Sequence, residues 1–521
     1  MSCVAVPRRL GAPKRALSRA ALSLGLAAAA SLAWGCDDDD RDGEPAEPRE
    51  AADDEAGDDE AEPRDEAAGG SAAPELPEAE PLAEGGDDHV GNVAWAIQFG
   101  GEAMDAARDV VALGDGVVVA GYVSSDVTLG DDSHETTDVD AYVTRLDAEG
   151  NHVWSRFFTG EGEHIANALA ITDEGDILVA GAFAHALYIG DDVLRGAGAD
   201  NIFVVKLSPD GERRWARAFG GRDVNAAHDV AAGPGGVAYV TGVFRDEVDF
   251  GADTLESEGD ASIFALALSD EGDPLWARGF GASGPDYGRA IAPHPQGVVL
   301  LGEFSREVEF GDTSLESAGN RDIVLTLLDP RGEPVWARGY GAVYNEVGVD
   351  LAIDPAGDII ATGSFDEEID FGGARHEAAG QSDAFLLKVD AQGEHLWSKR
   401  IGSSNEDMGT GVATDAYGRI AAAGWFWNEI EIGEHSLESA DRRDGYAAMF
   451  SPDGEAHWAH RMGGEYADMA RAVAIGDSGR VFVAGTFHRT ARFGDVEFVA
   501  ASERAGSEVP RGDAFVVAYD P

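Results

Sequence analysis

Seven tryptophans, Trp95, Trp154, Trp215, Trp276, Trp336, Trp397 and Trp458, recur at intervals of 59, 61, 61, 60, 61 and 61 residues. A period held over more than 360 residues means one supersecondary unit repeated seven times, each stacking on its neighbours to bury a face it cannot bury alone. Other signals keep the same register. An apolar run closes on glycine and usually an aromatic, as in Val117-Val118-Val119-Ala120-Gly121-Tyr122, and the glycines in that slot are Gly121, Gly181, Gly242, Gly302, Gly363, Gly424 and Gly485. A short motif follows, as in Val248-Asp249-Phe250-Gly251 and Ile369-Asp370-Phe371-Gly372. Then comes a strand such as Phe203-Val204-Val205-Lys206-Leu207, ended by Ser208-Pro209-Asp210-Gly211, a hairpin turn with glycine where φ must be positive.

Four short strands per unit, with turn signals between them and no amphipathic helical pattern, predict an all-β, seven-bladed β-propeller with four antiparallel strands per blade. Lettered a to d from the axis outward, strand a is the run typified by Ala168-Leu169-Ala170-Ile171, b ends in the glycine, c follows a long connection and d carries the tryptophan. Twelve residues past each tryptophan stand Ala107, Ala166, Ala227, Gly288, Gly348, Gly409 and Ala470. Small residues there suit seven inner strands crowded round one axis. The repeat starts on a lone strand d near Val93 and finishes on a strand c, Ala514 to Tyr519. The expectation is a ring closed by the N-terminal strand, which would hide the edges of the last blade.

The sequence carries 98 Asp+Glu against 38 Lys+Arg, a formal net charge of -60. That balance argues against nucleic acid as a partner, since phosphate binding draws on clustered Lys and Arg. Both cysteines, Cys3 and Cys36, precede the repeats, so the repeats hold no disulfide, thiolate metal site or cysteine nucleophile.

Ahead of the repeats, Arg8, Arg9, Lys14, Arg15 and Arg19 precede an apolar run from Ala20 to Ala33. The run is short of the ~20 residues a membrane-spanning helix takes, and reads as a cleavable signal peptide. Leu32-Ala33-Trp34-Gly35-Cys36 resembles the lipobox of bacterial lipoproteins, which implies acylation of Cys36; cleavage after Ser31-Leu32-Ala33 and simple secretion is the alternative. From Asp37 to His89 there are 23 Asp+Glu against Arg41, Arg49 and Arg64. Such a stretch repels itself and lacks apolar surface, so it is expected to be a disordered tether. The organisation expected is a signal peptide over 1–35, a tether over 36–92 and the propeller over 93–521.

The tryptophan motif, usually W-[AS]-x-x-apolar-G, the apolar run with glycine, and x-x-F-G together resemble the repeat of bacterial secreted seven-bladed β-propellers, often called the SBBP-type repeat. The resemblance spans Val93 to Pro521 and implies an extracytoplasmic propeller with no general catalytic activity of its own. The turn-then-tryptophan pattern, as in Asp390-Ala391-Gln392-Gly393-Glu394-His395-Leu396-Trp397, is also similar to the docking motif of pyrroloquinoline-quinone dehydrogenases and of the propeller lipoprotein of outer-membrane β-barrel assembly. Those are eight-bladed and lack x-x-F-G.

No zinc-protease motif, P-loop or nucleophile elbow occurs in the chain. Arg511-Gly512-Asp513 spells an adhesion tripeptide, but Asp513 fills the slot of Asp140, Asp322, Asp383 and Asp444 ahead of strand c. Ten residues past the tryptophans stand Asp105, His164, Asn225, Asp286, Glu346, Asp407 and Asp468. They are read either as an anionic ring at a channel mouth, able to hold a cation such as calcium, or as caps of the turn backbone. Slots where one unit departs from the rest are candidates for function. Trp425 stands where other units have Tyr122, Ala182, Val243, Glu303, Ser364 and Thr486, and Trp427 where they have Ser124, Ala184, Arg245, Ser305, Asp366 and His488. These two are candidate anchors for a sugar or aromatic partner, or packing beneath their own long connection.

Two function classes follow. One is a monomeric, lipid-anchored binding platform at the periplasm or cell surface, with a protein or glycan of the envelope as partner and no cofactor. The other is a calcium-assisted or quinone-dependent enzyme with its site at the channel mouth. The long b-to-c connections and the d-to-a loops are expected on one face, and partner binding with them.

Overall fold

The computed structural model describes residues 91–521 apart from 131, 137 and 508. Cys36, the signal peptide and nearly all of the expected tether lie outside the described residues. The fold is all-β and propeller-like. In the third unit, Ala226–Ala232, Ala238–Phe244, Ser262–Leu268 and Pro274–Phe280 pair antiparallel in that order as strands a to d. Strands b and c are buried along their whole length. Neighbouring units cover both of their faces, which is why they read in the sequence as unbroken apolar runs. Strand d has one open side and its burial is patchy.

The strand-b glycine has a local cause. Every strand a slips register at one residue, between Ala166 and Ala168 for example, a β-bulge that bends it towards strand b. A Cβ on Gly181 would lie 2.0 Å from the Ile165 carbonyl oxygen, and one on Gly363 would lie 1.9 Å from that of Val347. No larger residue fits without moving backbone.

The ladder tryptophans latch each unit to the next. Trp276 donates its Nε1–H to the Pro330 carbonyl at 3.1 Å, in the c-to-d turn of the following unit. Its ring lies against Gly332, whose φ of 80° places it in the left-handed region that favours glycine. Arg278, two residues on, stands over the Trp276 ring at 5.9 Å and pairs with Glu333 at 2.8 Å. Trp154, Trp215, Trp336 and Trp397 repeat the indole bond to their own following turns.

Val93–Phe99 pairs antiparallel with Gly512–Tyr519, outermost in a sheet completed by Val481–His488 and Met469–Ile475. The inner strand Ala106–Leu113 packs against both Met469–Ile475 and His164–Ile171. Asp520 receives the Gly91 N–H at 3.0 Å and donates to Asn92 at 2.9 Å. Those are the two bonds that Asp147 makes with Gly150 (3.0 Å) and Asn151 (2.9 Å) inside a continuous c-to-d turn. Two distant chain segments therefore assemble one more copy of that turn.

The long b-to-c connections are regular structure rather than irregular loops. Each is a β-hairpin, such as Glu307–Phe310 with Thr313–Glu316. The tip glycines Gly251, Gly311 and Gly433 rest against Pro274, Pro334 and Ala456, at the start of their own outer strands. The buried phenylalanine of x-x-F-G anchors the hairpin, as Phe310 stacks on Phe280 at 4.6 Å. The hairpins lie along edges that would otherwise be open, so much of their length is spent on the fold.

Candidate functional site

The seven polar side chains ten residues past the tryptophans, Asp105, His164, Asn225, Asp286, Glu346, Asp407 and Asp468, are all buried. Asp105 accepts the N–H of Gly101 at 2.6 Å and of Ser124 at 2.9 Å. Asp468 does the same for Gly464 and His488, and Asp407 for Ser403 and Trp427. Asp286 accepts from Ser305 and Glu346 from Ala342. Asp105, Asp407 and Asp468 thereby tie the d-to-a turn to the end of strand b, whereas the Asp286 bond is to the strand end and the Glu346 bond to the turn. Asn225 makes the tie uncharged, accepting from Arg245 N at 3.2 Å and donating to Asp200 and Asp223 carbonyls. His164 finds no hydrogen-bond partner for its ring nitrogens among the described residues. These are the bonds of backbone caps rather than of an open ring. Among the described residues no group of three or more His, Cys, Asp or Glu is placed to hold a metal ion.

Burial governs the electrostatics of these caps. It pushes Asp105, Asp286 and Asp407 up to about 7 and Glu346 up to about 8, and it raises Asp468 well above the carboxylate range. Donated N–H bonds pull the other way without prevailing.

Three further carboxylates were not singled out by the sequence. Asp109, Asp229 and Asp350 sit just after the bulge of their inner strands, and each accepts two N–H groups. Asp109 takes Val110 (2.7 Å) and Leu169 (2.6 Å), Asp229 takes Val230 and Ile291 (both 2.7 Å), and Asp350 takes Leu351 and Val412 (both 2.8 Å). One bond is within the unit and the other reaches the next, so alternate seams are stapled along the unpaired inner edges. The signal was present as Asp, Ala, Asp, Ala, Asp, Gly, Ala in one slot, and it shows only when the units are compared there.

Trp425 and Trp427 bracket Arg443, whose guanidinium stands 4.4 Å from the first ring and 5.2 Å from the second. Arg443 is the cross-strand neighbour of Trp427 and also pairs with Glu406 at 3.1 Å. Trp425 is 7% exposed and Trp427 38% exposed, so Trp427 has open ring surface to offer and Trp425 is mainly support. Beside them the exposed Arg442 lies over Tyr466 at 4.8 Å. In the fourth unit the Trp425 slot holds Glu303, buried and ion-paired with Arg289 and Arg321. The tripeptide Arg511-Gly512-Asp513 is structural: Asp513 is fully buried and caps Ala501 N at 2.9 Å.

No protein-family model matches the chain. It is 20% identical to an uncharacterised WD repeat-containing protein of Acanthamoeba polyphaga mimivirus over 506 residues, 76% of this chain and 36% of that one. It is 25% identical to the regulatory protein FlaEY of Caulobacter vibrioides over 221 residues, 38% of this chain and 23% of that one. The chain thus spans about a third and a quarter of these relatives. Among solved structures, Sqt1 from Chaetomium thermophilum aligns over 83% of this chain and 99% of its own at 11% identity, TM-score 0.39. YCF48 bound to D1 peptide aligns over 84% of this chain and all of its own at 8% identity, TM-score 0.39.

Proposed function

We propose that this protein is an exported, lipid-anchored β-propeller of seven blades, closed by its N-terminal strand, that serves as a monomeric binding platform for a protein or glycan of the cell envelope. The export signal, Cys36 and the resemblance to SBBP-type repeats support the address. The pairing of Val93–Phe99 with Gly512–Tyr519 supports the closure. The observation that carries the binding role is Trp427, a half-exposed indole braced by Arg443 in a slot where no other unit has tryptophan. Rigid aromatics backed by a cation are what binding hot spots are made of.

The test is a pull-down from envelope extract with the purified protein, alongside Trp427→Ser. Truncating a central aromatic anchor often costs ~2 kcal/mol or more, a loss of about 30-fold in affinity. The expected result is a partner recovered by the wild type and lost by a Trp427→Ser protein of unchanged melting temperature. Full retention by a folded Trp427→Ser would move the binding surface elsewhere.

A further inference from the structure

Tyr466 stands in the loop that leads into the seventh unit, eight residues past the ladder Trp458, with a φ of 84°. Among the described residues seven other than glycine have positive φ, and six of them, from His185 to Arg489, share one slot at the end of strand b. Tyr466 is the exception. A bulky side chain is costly in that region. In the loop into the second unit the same slot is Gly162, φ 98°, whose N–H is tied to Asp138 at 3.1 Å just as that of Tyr466 is tied to Asp441 at 3.1 Å. Glycine therefore meets everything the loop demands, and what the tyrosine adds is its ring.

That ring lies 4.8 Å from the guanidinium of Arg442. Arg442 is exposed and forms no ion pair among the described residues. Its slot holds Asp138, Ala199, Asp260, Asn320 and Gln381 in the first five units. Arg442 and Arg443 are consecutive on one strand and so point to opposite faces of it. Arg443 is spent on Glu406 and on bracing the two indoles. Arg442 is spent only on Tyr466, and stacking on a ring leaves the N–H donors of a guanidinium fork unused. Trp427 and Tyr466 thus flank one strand, on the order of 10 Å apart, the spacing of packed sheets.

We propose that Arg442, held in place by Tyr466, is the carboxylate receptor of the Trp427 surface, and that the ligand is a glycan in which an acidic sugar adjoins a neutral one. The neutral ring lies on Trp427 and the carboxylate takes the Arg442 fork. The proposal rests on the reading of Trp427 as a binding residue. The polar setting selects sugar over protein: Asn428 and Glu429, which follow Trp427, and Asp441 are all exposed, whereas the centre of a protein interface is apolar and poor in charge. Net charge sets the pattern of the glycan. A chain at -60 repels a polyanion, while a single carboxylate gains charge-assisted hydrogen bonds at the guanidinium.

The test titrates the full chain, labelled with 15N-tryptophan, with cellobiouronic acid and with cellobiose, disaccharides that differ only in a carboxylate for a hydroxymethyl group. The indole N–H of Trp427, assigned through Trp427→Phe, is followed, and Ac-Gly-Asp-Gly-NH2 at matched ionic strength supplies a peptide carboxylate. The expected result is a saturable shift with both sugars, about tenfold tighter for the acid. Arg442→Gln should bring the acid down to the affinity of the neutral sugar and leave the neutral sugar unchanged. Tyr466→Gly should reduce the same preference while melting no lower than the wild type, because glycine suits that φ; a tyrosine present only for the fold would leave the preference intact. An indole unmoved by either sugar, equal affinity for the two, a preference that survives Arg442→Gln, or tighter binding of the peptide overturns the proposal. The two readings fail separately: a Trp427→Ser protein that loses its envelope partner, when no sugar moves the wild-type indole, keeps the binding surface and removes the acidic glycan.

Discussion

Deleting residues 92–101 should leave a chain that aggregates instead of melting, whereas deleting residues 37–83 should leave the melting temperature where it was. The first deletion strips Gly512–Tyr519 of its outer partner and bares the edge of a strand buried along its whole length. Exposed apolar edges template pairing with other chains. It also removes Trp95, whose indole bonds the Ala148 carbonyl at 2.9 Å, and Gln98, which is bonded to Val499. The second deletion removes only acidic sequence ahead of the repeats. Soluble yield and thermal melting of the two deletion variants decide the matter, and equal melting temperatures would mean that the N-terminal strand is dispensable.

The second large effect is a loss of stability as pH rises from about 4 towards 8. Burial raises Asp105, Asp109, Asp286 and Asp407 to about 7 and Glu346 to about 8 in the fold. In the unfolded chain these groups titrate near 4. Between those limits the folded state holds more protons than the unfolded one, so stability falls with increasing pH; it is fully present below the unfolded value and lost as pH passes the folded value. Each pKa unit of such a difference is worth about 1.4 kcal/mol. Self-repulsion in a chain of formal net charge -60 acts with the same sign. The melting temperature should therefore be clearly higher at pH 5 than at pH 8.5. Asp407→Asn and Glu346→Gln should flatten the slope, because Asn225 shows that an uncharged side chain can serve in that slot. A melting temperature that rises over the same range would mean the caps are ionised throughout.

The repeat made much of this architecture readable. A tryptophan that must latch onto the next unit's turn, and a glycine that must clear a bulged carbonyl, are demands each unit makes again, so their residues recur in register. The b-to-c hairpins were harder to place. Their x-x-F-G motif is visible, but the contact it makes, as between Phe310 and Phe280, is with another strand and leaves no spacing signal. The caps were legible as a slot and ambiguous in role, because an aspartate binding backbone N–H groups and one facing a channel look alike in sequence. Arg443 was invisible as a partner of Trp425 and Trp427 for a related reason: cross-strand neighbours lie far apart along the chain.

A circular permutant tests the closed ring most directly. One aspartate inserted between Pro521 and Gly91 would give Asp520-Pro521-Asp-Gly91-Asn92, matching Ser208-Pro209-Asp210-Gly211-Glu212, and new ends would open in another c-to-d turn, between Glu271 and Gly272. The join also completes the turn beside Trp458, whose indole N–H has no partner among the described residues while the other six ladder indoles are bonded to turn carbonyls. Thermal melting with light scattering, set against the unpermuted 91–521 chain, is the measurement. A monomer that melts within a few degrees of that chain is the result a ring closed through its terminal strand predicts. A permutant that fails to fold, or that is soluble only as an oligomer exchanging its outer strand, would contradict it.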